Sequence, residues 1–405
     1  MKVVILSAST GGGHMSAANA LKDYIDSNGS QAVVIDAIEY ISPLLNKTVT
    51  EVYEYVATKN PILWKMMYKS SNKKSVNSII GKTNSLISNK LIPLLKSNDP
   101  DVIVTTHPFT TEMISKLKKH KKTNVPLICI MTDYAPHRTW INPYVDAYIV
   151  ANENMITPMI KMDVESNKIF PFGIPVDDAF FSTQNREKLK KELNLKNNIP
   201  TILIMAGSCG LTNIEKIYNE LQSIKQDFQI IIITGKNKKL YENMQNVISG
   251  KKTDIRDKIL AKISEKAPEL KRMKFIKKYQ SETQSNKYHK NTQLIYFTNE
   301  VEKYMSVSDL ILTKPGGLTV SEALACNLPM ALYDAIPGQE EENANFLVSN
   351  NMAVKLSSSD DISKTVSELI SDPEKLQAMK YNCINFDKSD SLKNIFNLMK
   401  NFIKE

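Results

Sequence analysis

The chain has 405 residues, of which 42% are hydrophobic, and it carries a formal net charge of +9. Single hydrophobic cores stop growing at about 250 to 300 residues, so a chain of this length predicts two domains. The composition excludes a largely disordered protein, and no apolar run approaches the ~18 residues that a membrane-spanning helix needs. The positive charge favours an anionic partner, namely a nucleic acid, an acidic membrane surface or a phosphorylated substrate.

The start of the chain and its cysteines bear on the cellular compartment. The first apolar run passes directly into a glycine-rich segment and lacks the cleavage site of a signal peptide, so we expect a buried first strand. The four cysteines are far apart and show no CxxC spacing, which favours reduced thiols in a cytoplasm. We therefore expect a cytoplasmic protein whose membrane contact is peripheral, on the inner face of the cell membrane.

Short β-rich runs alternate with longer helical stretches along the chain. Such alternation predicts βαβ units and parallel sheets. The runs lie at residues 3–6, 33–35, 102–104, 127–131 and 147–150 in the first half, and at 202–205, 228–233, 294–297, 310–313 and 330–332 in the second. The fold class that we predict is α/β, with two Rossmann-like domains whose parallel sheets face one cleft.

A connection between the two halves is indicated at residues 172–200, which contain two prolines, a lysine-rich helix candidate and a polar stretch. We expect one domain over 1–175 and a second over 195–384, with a helix at about 385–405 that packs back onto the first domain. The lysine-rich segment 251–290 is longer than a normal connection and predicts a surface excursion.

Doubly wound sheets bind ligands outside the carboxyl ends of their strands, and the first such loop is STGGGH at 9–14. Gly12 and Gly13 allow the backbone to approach a ligand, and the start of the following helix presents unpaired N–H groups. The segment is neither a Walker loop nor a GxGxxG fingerprint. The imidazole of His14 can act there as a general base near neutral pH, so we favour a functional site over a purely structural turn.

The second loop is TKPGGLTVSEALA at 313–325, in which a glycine turn joins a strand to a helix. Thr319 and Glu322 have the TxxE spacing of a capping box, so Glu322 has a structural explanation at the helix start. The functional alternative is that the helix start holds a diphosphate while Glu322 binds a ribose. The spacing alone leaves both possibilities open.

The third loop is PGQEEENAN at 337–345, which follows the run at 330–332. Gln339, Glu340 and Asn343 have side chains that can hydrogen-bond sugar hydroxyls. An exposed acidic helix start is common on protein surfaces. Taken alone, the segment favours such a helix start without a binding role.

The fourth candidate combines His107, which follows one strand, with Asp133, His137 and Trp140, which follow the next. We expect Asp133 to orient His14 or to replace it as the base, and Trp140 to pack on a sugar or acyl group. Lone histidines and tryptophans are often structural, but two clusters at adjacent strand ends favour a site.

Metal and nucleophile motifs are not supported. Asp99 and Asp101 match a DxD spacing, but the proline between them and the strand that follows predict a helix-to-strand turn. The chain contains no HExxH, cysteine cluster or GxSxG elbow. We therefore expect neither a metal nor another cofactor.

The segment 60–95 mixes basic, aromatic and methionine residues, among them Trp64 and Lys65. This mixture suits an interfacial helix on an anionic membrane surface. The alternative is a surface helix that packs its tryptophan and methionines into the core.

Taken in order, these motifs resemble glycosyltransferase family 28. The segments that carry the resemblance are STGGGHMSAA, TTHPF, MTDYAPHRTW, GIPV, IMAGSCG, ITGKN, TKPGGLTVSEALA and PGQEEENANF. They most resemble the glycolipid branch, which includes bacterial processive diacylglycerol glucosyltransferases and plant monogalactosyldiacylglycerol synthases. The resemblance implies a GT-B fold, a UDP-sugar donor, a diacylglycerol-type lipid acceptor, inversion at the anomeric carbon and no metal requirement.

The resemblance also implies roles for individual residues in an acceptor-binding first domain and a donor-binding second domain. His14 matches a histidine that acts as base or binds the acceptor, beside the acceptor-side glycines Gly12 and Gly13. The donor side matches at Gly207 and Gly210 facing the nucleotide, at Lys314, Gly316, Gly317 and Thr319 around the diphosphate, at Glu322 on the ribose, and at Gln339, Glu340 and Asn343 on the sugar. His107, His137, Trp140, Trp64 and Lys65 are expected on the acceptor and membrane side.

Two departures from the family pattern are the long 251–290 segment and the pair Phe297 and Thr298, where many members have glycine. The expected function is transfer of a hexose, by our choice glucose, from a UDP-sugar to diacylglycerol. The rivals are a UDP-galactose-dependent monogalactosyldiacylglycerol synthase, a lipid II-type N-acetylglucosaminyltransferase and a non-catalytic nucleotide-sugar sensor at the membrane. Nucleic-acid binding is not expected, because no recognition motif accompanies the charge.

Overall fold

The structure is a computed structural model. It describes residues 1–9, 12–42, 60–72, 87–182, 185–206, 213–250, 290–356 and 362–404. Gly207, Gly210 and residues 251–289 of the predicted surface excursion lie outside these ranges, so the expectations that fall on them remain predictions.

Twelve strands form two sheets within the described residues. The strands are β1 (Lys2–Ser7), β2 (Gln31–Asp36), β3 (Val102–Thr105), β4 (Leu127–Ile130), β5 (Ala147–Ile149), β6 (Ile169–Phe170), β7 (Thr201–Met205), β8 (Gln229–Ile233), β9 (Asn291–Ile295), β10 (Leu310–Thr313), β11 (Met330–Leu332) and β12 (Ala353–Lys355). The first sheet has the order β2-β1-β3-β4-β5-β6 and the second β12-β11-β10-β7-β8-β9. All pairings are parallel, so the predicted α/β class with two parallel sheets is confirmed.

Helices connect the strands and cover the faces of both sheets. They are α1 (Gly13–Ser27), α2 (Ala37–Ile41), α3 (Pro61–Ser71), α4 (Ile92–Asn98), α5 (Pro108–Lys119), α6 (Ile156–Ile160), α7 (Arg186–Glu192), α8 (Ile214–Gln222), α9 (Lys238–Ile248), α10 (Val301–Ser306), α11 (Gly317–Ala325), α12 (Gln339–Ser349), α13 (Ile362–Ser371), α14 (Pro373–Asn385) and α15 (Ser391–Lys404). Short 3₁₀ turns lie at Asn89–Leu91, Arg138–Trp140, Glu153–Met155, Ser166–Lys168 and Asp178–Phe181.

The central strands are covered on both faces, as parallel sheets require. Every residue of β3, β4, β7, β8 and β10 is buried, and each of these strands is dominated by aliphatic side chains. Strands of this kind appear as continuous apolar runs because neither face meets water. This is why the sequence pattern located them.

The predicted run at 294–297 is misplaced, because β9 lies at Asn291–Ile295. β9 is an edge strand that pairs with β8 alone, so polar residues at its start are tolerated. The aromatic residues that suggested a strand, Tyr296 and Phe297, follow it and are 40% and 45% exposed. The edge strands β6 and β12 were not predicted.

The C-terminal helix α15 returns to the first sheet. Its buried residues follow helical spacing and join the core formed by β1, β3, β4, β5 and α1: they are Leu392, Ile395, Phe396 and Met399. The returning chain passes close to the linker, where a side-chain carbon on Gly173 would lie 2.8 Å from Cβ of Lys388. Ser391 Oγ donates to the Gly173 carbonyl over 3.0 Å.

The topology brings the loops of interest to one cleft. The carboxyl ends of β1, β3 and β4 lead into the segments that carry His14, His107 and Asp133, and those of β10 and β11 lead into α11 and α12. Helices α1 and α11 are in contact across the cleft. Among the residues that the structure describes, no helix is long and apolar enough to cross a bilayer.

Candidate active site

His14 lies in the first turn of α1, directly after Gly12 and Gly13. Gly12 adopts a left-handed backbone with φ 72°, which glycine tolerates without strain and which turns the chain into the helix. The Nδ1 atom of His14 lies 2.9 Å from Oγ1 of Thr132. The hydroxyl of Thr106 donates to the backbone carbonyl of His14 over 3.0 Å, so the ring and its backbone are both held by strand ends.

Burial controls the protonation of His14. It lowers the pKa of the imidazole to about 4, and a backbone interaction with Thr106 offsets this only in part. The ring of His107 lies edge-on at 4.7 Å, and burial together with His14 holds the pKa of His107 well below its usual value. Both rings are therefore neutral at neutral pH, and His14 has the protonation state of a general base.

His107 also has a structural role. It is the N-cap of α5, and its Nδ1 accepts a hydrogen bond from the backbone N–H of Phe109 over 3.2 Å. The ring thus forms a fixed wall beside His14.

Asp133 is buried between the two domains. Its carboxylate accepts hydrogen bonds from Nε1 of Trp140 over 3.2 Å and from the amide of Gln339. Burial raises the pKa of Asp133 to about 6, although hydrogen bonds from Gln339, Trp140 and Asn343 act in the opposite direction. Within the described part of the chain Asp133 makes no hydrogen bond to His14. The side chain that hydrogen-bonds the histidine ring is that of Thr132, the residue before Asp133, whereas Asp133 was expected to orient it.

The other acceptor-side candidates are engaged within the protein. His137 Nδ1 lies 2.8 Å from Oγ1 of Thr139, and its Nε2 lies 3.1 Å from the carbonyl oxygen of Tyr68, on whose ring it stacks at 4.2 Å. Trp140 is only 2% exposed, and its ring lies 6.1 Å from that of His14. His137 therefore anchors α3, and Trp140 forms a wall of the site between Asp133 and His14.

The start of α11 combines features that suit an anion. The helix begins at Gly317 after Gly316, with no acidic residue in its first turn and no side-chain cap. Backbone N–H groups at a helix start carry partial positive charge and lack intrahelical acceptors. Lys314 precedes them at the end of β10, 8% exposed. This combination suits a diphosphate.

The capping-box explanation for Glu322 is wrong. Thr319 lies inside α11, because the helix starts at the preceding glycine, and neither Thr319 nor Glu322 caps it. Burial, assisted by Glu302, raises the pKa of Glu322 to about 8. Within the described residues its carboxyl accepts no hydrogen bond.

The residues of the third loop have different surroundings. Asn343 is 1% exposed: its Oδ1 accepts from the backbone N–H of Tyr134 over 2.8 Å, and its Nδ2 donates to the carbonyl of Pro315 over 3.0 Å. Asn343 therefore hydrogen-bonds the two domains to each other, whereas a contact with the sugar was expected. Glu340 accepts from the backbone N–H of Ile336 over 2.7 Å and lies near Lys314, while burial raises its pKa.

The two halves of the site touch through backbone atoms. A side-chain carbon built on Gly317 would lie 1.8 Å from the carbonyl oxygen of Thr132, and one on Gly13 would lie 3.3 Å from Cβ of Leu318. The start of α11 is therefore packed directly against the end of β4, next to the residue that holds His14.

Helix α3 lies against the loops of the cleft, and two of its residues, Trp64 and Lys65, were predicted on the acceptor and membrane side. Lys65 pairs with Glu341 at 3.2 Å, and the ring of Tyr68 occupies the space where a side chain on Gly338 would lie. Gly338 has φ 99° and tolerates this approach. Lys65 and Glu341 are 276 positions apart in the sequence, so no local pattern could have paired them.

Among the described residues no group of three His, Cys, Asp or Glu side chains is placed to hold a metal ion. Asp99 ends α4 in a left-handed conformation, and Asp101 accepts a hydrogen bond from the backbone N–H of Lys2 over 2.7 Å. The DxD match is therefore a helix-to-strand turn, as predicted.

Comparison with known proteins shows which families the sequence resembles. The model of the monogalactosyldiacylglycerol synthase family matches residues 14–176, and that of glycosyl transferases group 1 matches residues 185–386. Processive diacylglycerol β-glucosyltransferases of Bacillus pumilus and Bacillus subtilis are 28% and 26% identical, each over 94% of this chain and 90% of the relative. The chain belongs to glycosyltransferase family 28.

Solved structures support the fold of this family 28 protein. Acinetobacter baumannii MurG superposes with a TM-score of 0.60 at 14% identity, covering 99% of both chains. The UDP-GlcNAc 2-epimerase of Neisseria meningitidis, bound to UDP-GlcNAc, superposes with a TM-score of 0.58 at 15% identity over 99% of this chain and 100% of that chain. The expected GT-B fold is confirmed.

Gly317 is predicted to be essential for joining the two domains of the family 28 transferase. Gly317→Ala places a methyl group against a backbone carbonyl, which cannot move as a flexible side chain can, so the interface must open. We expect a loss of about 1 to 3 kcal/mol of stability, as for other overpacked sites. Thermal unfolding measures it.

Gly316→Ala is the matched control, because no atom lies within 4 Å of the added carbon and the backbone has φ −70°. Its melting temperature should equal that of the wild type. Equal melting temperatures for all three proteins would show that the contact between α11 and β4 does not hold the domains together.

Proposed function

We propose that this protein transfers glucose from UDP-glucose to a diacylglycerol-type lipid, with inversion at the anomeric carbon, and that it does so without a metal ion. One observation supports the proposal above all others. Thr132 hydrogen-bonds the neutral His14 and also packs against Gly317, so a neutral histidine and an uncapped helix start lie in one cleft. The choice of substrates is supported by the diacylglycerol glucosyltransferases that resemble the chain throughout.

The donor side is expected to bind the UDP-sugar electrostatically. The diphosphate lies at the start of α11 next to Lys314, and the ribose lies on Glu322. With its pKa raised to about 8, Glu322 is largely protonated at neutral pH, so it can both donate to and accept from ribose hydroxyls. The protonated form also avoids repulsion of the diphosphate. Gln339 and Glu340 face the sugar from the start of α12.

The acceptor side supplies the base. The hydroxyl oxygen of the lipid attacks the anomeric carbon while its proton passes to His14. The bond between that carbon and the diphosphate oxygen breaks, and its electron pair leaves with UDP. A single in-line displacement inverts the configuration. The carboxylate of Asp133, ionised above about pH 6, favours the imidazolium that forms in the same buried site.

The departing diphosphate needs positive charge, which metal ions supply in many enzymes. In our proposal the partial charge of the α11 start and the ammonium of Lys314 fill this role. Their positions beside one another at the end of β10 support it.

We also propose that α3 contacts an anionic membrane on its cytoplasmic face. Leu63, Met66 and Met67 share one side of the helix and are 43%, 65% and 49% exposed. Trp64 and Lys65, which were expected to face lipid, are half-buried on the side towards the protein. The apolar stripe with the exposed Lys69 nearby has the character of an interfacial helix.

The reaction is tested by incubating the protein with diacylglycerol in anionic vesicles and with UDP-glucose, UDP-galactose or UDP-N-acetylglucosamine in separate tubes. We expect a lipid-linked hexose from UDP-glucose, undiminished by EDTA, and a decrease of about 10² to 10⁴-fold in His14→Ala. Product from UDP-galactose alone would correct the sugar. UDP binding without product from any donor would contradict transfer to diacylglycerol.

The pH profile is predicted from Asp133. Because the ionised form is required, kcat/KM should rise with pH through about 6, the pKa of this carboxyl, and level off above it. Asp133→Asn should lower the plateau by about 10 to 100-fold and abolish this acidic limb. An unchanged limb in the variant would assign the titration to another group.

Membrane contact is tested by flotation with vesicles that contain an anionic lipid. Changing Leu63, Met66 and Met67 together to serine should reduce binding at least about tenfold, since a few kcal/mol of apolar burial is lost. The matched control changes Tyr381 and Ile384, exposed by 61% and 44% on α14, to serine. Equal loss in both variants would show that α3 has no special part in the contact.

A further inference from the structure

The contact between Thr132 and His14 has a role that the catalytic scheme above does not use. Oγ1 of Thr132 lies 2.9 Å from Nδ1 of His14, and Thr132 is only 4% exposed. Within the described part of the chain it is the one side chain that hydrogen-bonds this ring. Among the residues that the structure describes, no carboxylate hydrogen-bonds the histidine as an aspartate does in a catalytic triad.

A neutral imidazole carries one proton, and the nitrogen that holds it is selected by the partner of the ring. A hydroxyl can donate or accept. If it donates to Nδ1, the proton of the ring lies on Nε2 and that nitrogen is no base. If it accepts from Nδ1–H, Nε2 keeps its lone pair and is the basic atom of the ring.

We infer that Thr132 is a positioning residue whose hydroxyl accepts the Nδ1–H of His14 and thereby keeps Nε2 unprotonated for the lipid hydroxyl. The inference rests on the proposed function, in which His14 receives that proton. It names a residue that acts through the base and does not itself touch the reacting atoms.

The surroundings of Thr132 are rigid enough for this task. It follows the buried strand β4, and its carbonyl oxygen is fixed against the backbone of Gly317 at the start of α11. The backbone of His14 is held separately by Thr106, whose Oγ1 also lies 2.8 Å from Oγ of Ser7. The backbone and the ring of His14 are thus held by residues that follow different strands, β3 and β4.

A hydroxyl differs from a carboxylate in a way that suits the site. It orients the ring without adding a negative charge, so the histidine stays neutral in a buried place and a dianionic leaving group is not repelled by its partner. The negative charge that favours the imidazolium belongs to Asp133, one residue further along, where Trp140 and Gln339 hold it.

The kinetic test compares Thr132→Val with Thr132→Ser. Valine keeps the size and removes the hydroxyl, so kcat should fall about tenfold, the worth of one hydrogen bond, while KM for both substrates stays within about twofold. Serine should restore most of kcat. Thr105→Val is the control: this buried threonine bonds Thr111 over 2.8 Å, does not contact His14, and its loss should leave kcat unchanged.

The tautomer is read directly by NMR of the full-length protein labelled with ¹⁵N-histidine. The chain has five histidines, and His14→Ala identifies the pair of signals that belongs to His14. We expect a protonated Nδ1 and an unprotonated Nε2 in the wild type, and a mixture of tautomers in Thr132→Val.

An Nε2–H form in the wild type would overturn the inference, as would a Thr132→Val enzyme with wild-type kcat. The NMR measurement needs no substrate. An inactive wild-type protein with the expected tautomer would therefore refute the proposed function and leave the structural role of Thr132 standing, so the two failures are distinguishable.

Discussion

The approach of Gly317 to the carbonyl of Thr132 is the constraint on which the rest of the site depends. A side chain at 317 would place a carbon 1.8 Å from that oxygen, so only glycine lets the start of α11 lie against the end of β4. The same threonine holds His14 through its side chain. The proposed base and the helix start proposed for the diphosphate are thereby fixed relative to each other, and positioning of this kind supplies much of the rate in a displacement reaction.

Burial acts on three ionisable groups of the cleft in ways that complement each other. It lowers the pKa of His14 to about 4 and raises those of Asp133 and Glu322 to about 6 and about 8. Desolvation always disfavours the charged form, so its sign depends on the group. At neutral pH the histidine is neutral, Glu322 is largely protonated, and Asp133 keeps its charge with the help of donors from Trp140 and Gln339. Each state matches the role proposed for that residue.

The features that the sequence predicts correctly are those marked by short stretches of neighbouring residues. The central strands are continuous aliphatic runs, and the glycine turns at the strand ends marked both halves of the cleft. The TxxE spacing at Thr319 suggested a capping box that the structure does not contain. The spacing does not reveal where a helix begins, and α11 begins at Gly317, two residues before Thr319. Contacts such as Gln339 with Asp133 join residues 206 positions apart, so only the assembled fold shows that the third loop serves the interface.

Helix α3 is where the two sides of the proposed function meet. Its inner side contacts both domains, through Lys65 with Glu341 and through Tyr68 with His137. Its outer side exposes Leu63, Met66 and Met67. An 11-residue helix is only about 16 Å long and 10 Å wide. A bilayer seated on the outer side, as we propose, lies about one helix diameter from Glu341 and His137, which the inner side contacts. The lipid acceptor of the proposed reaction therefore starts close to the loops of the cleft.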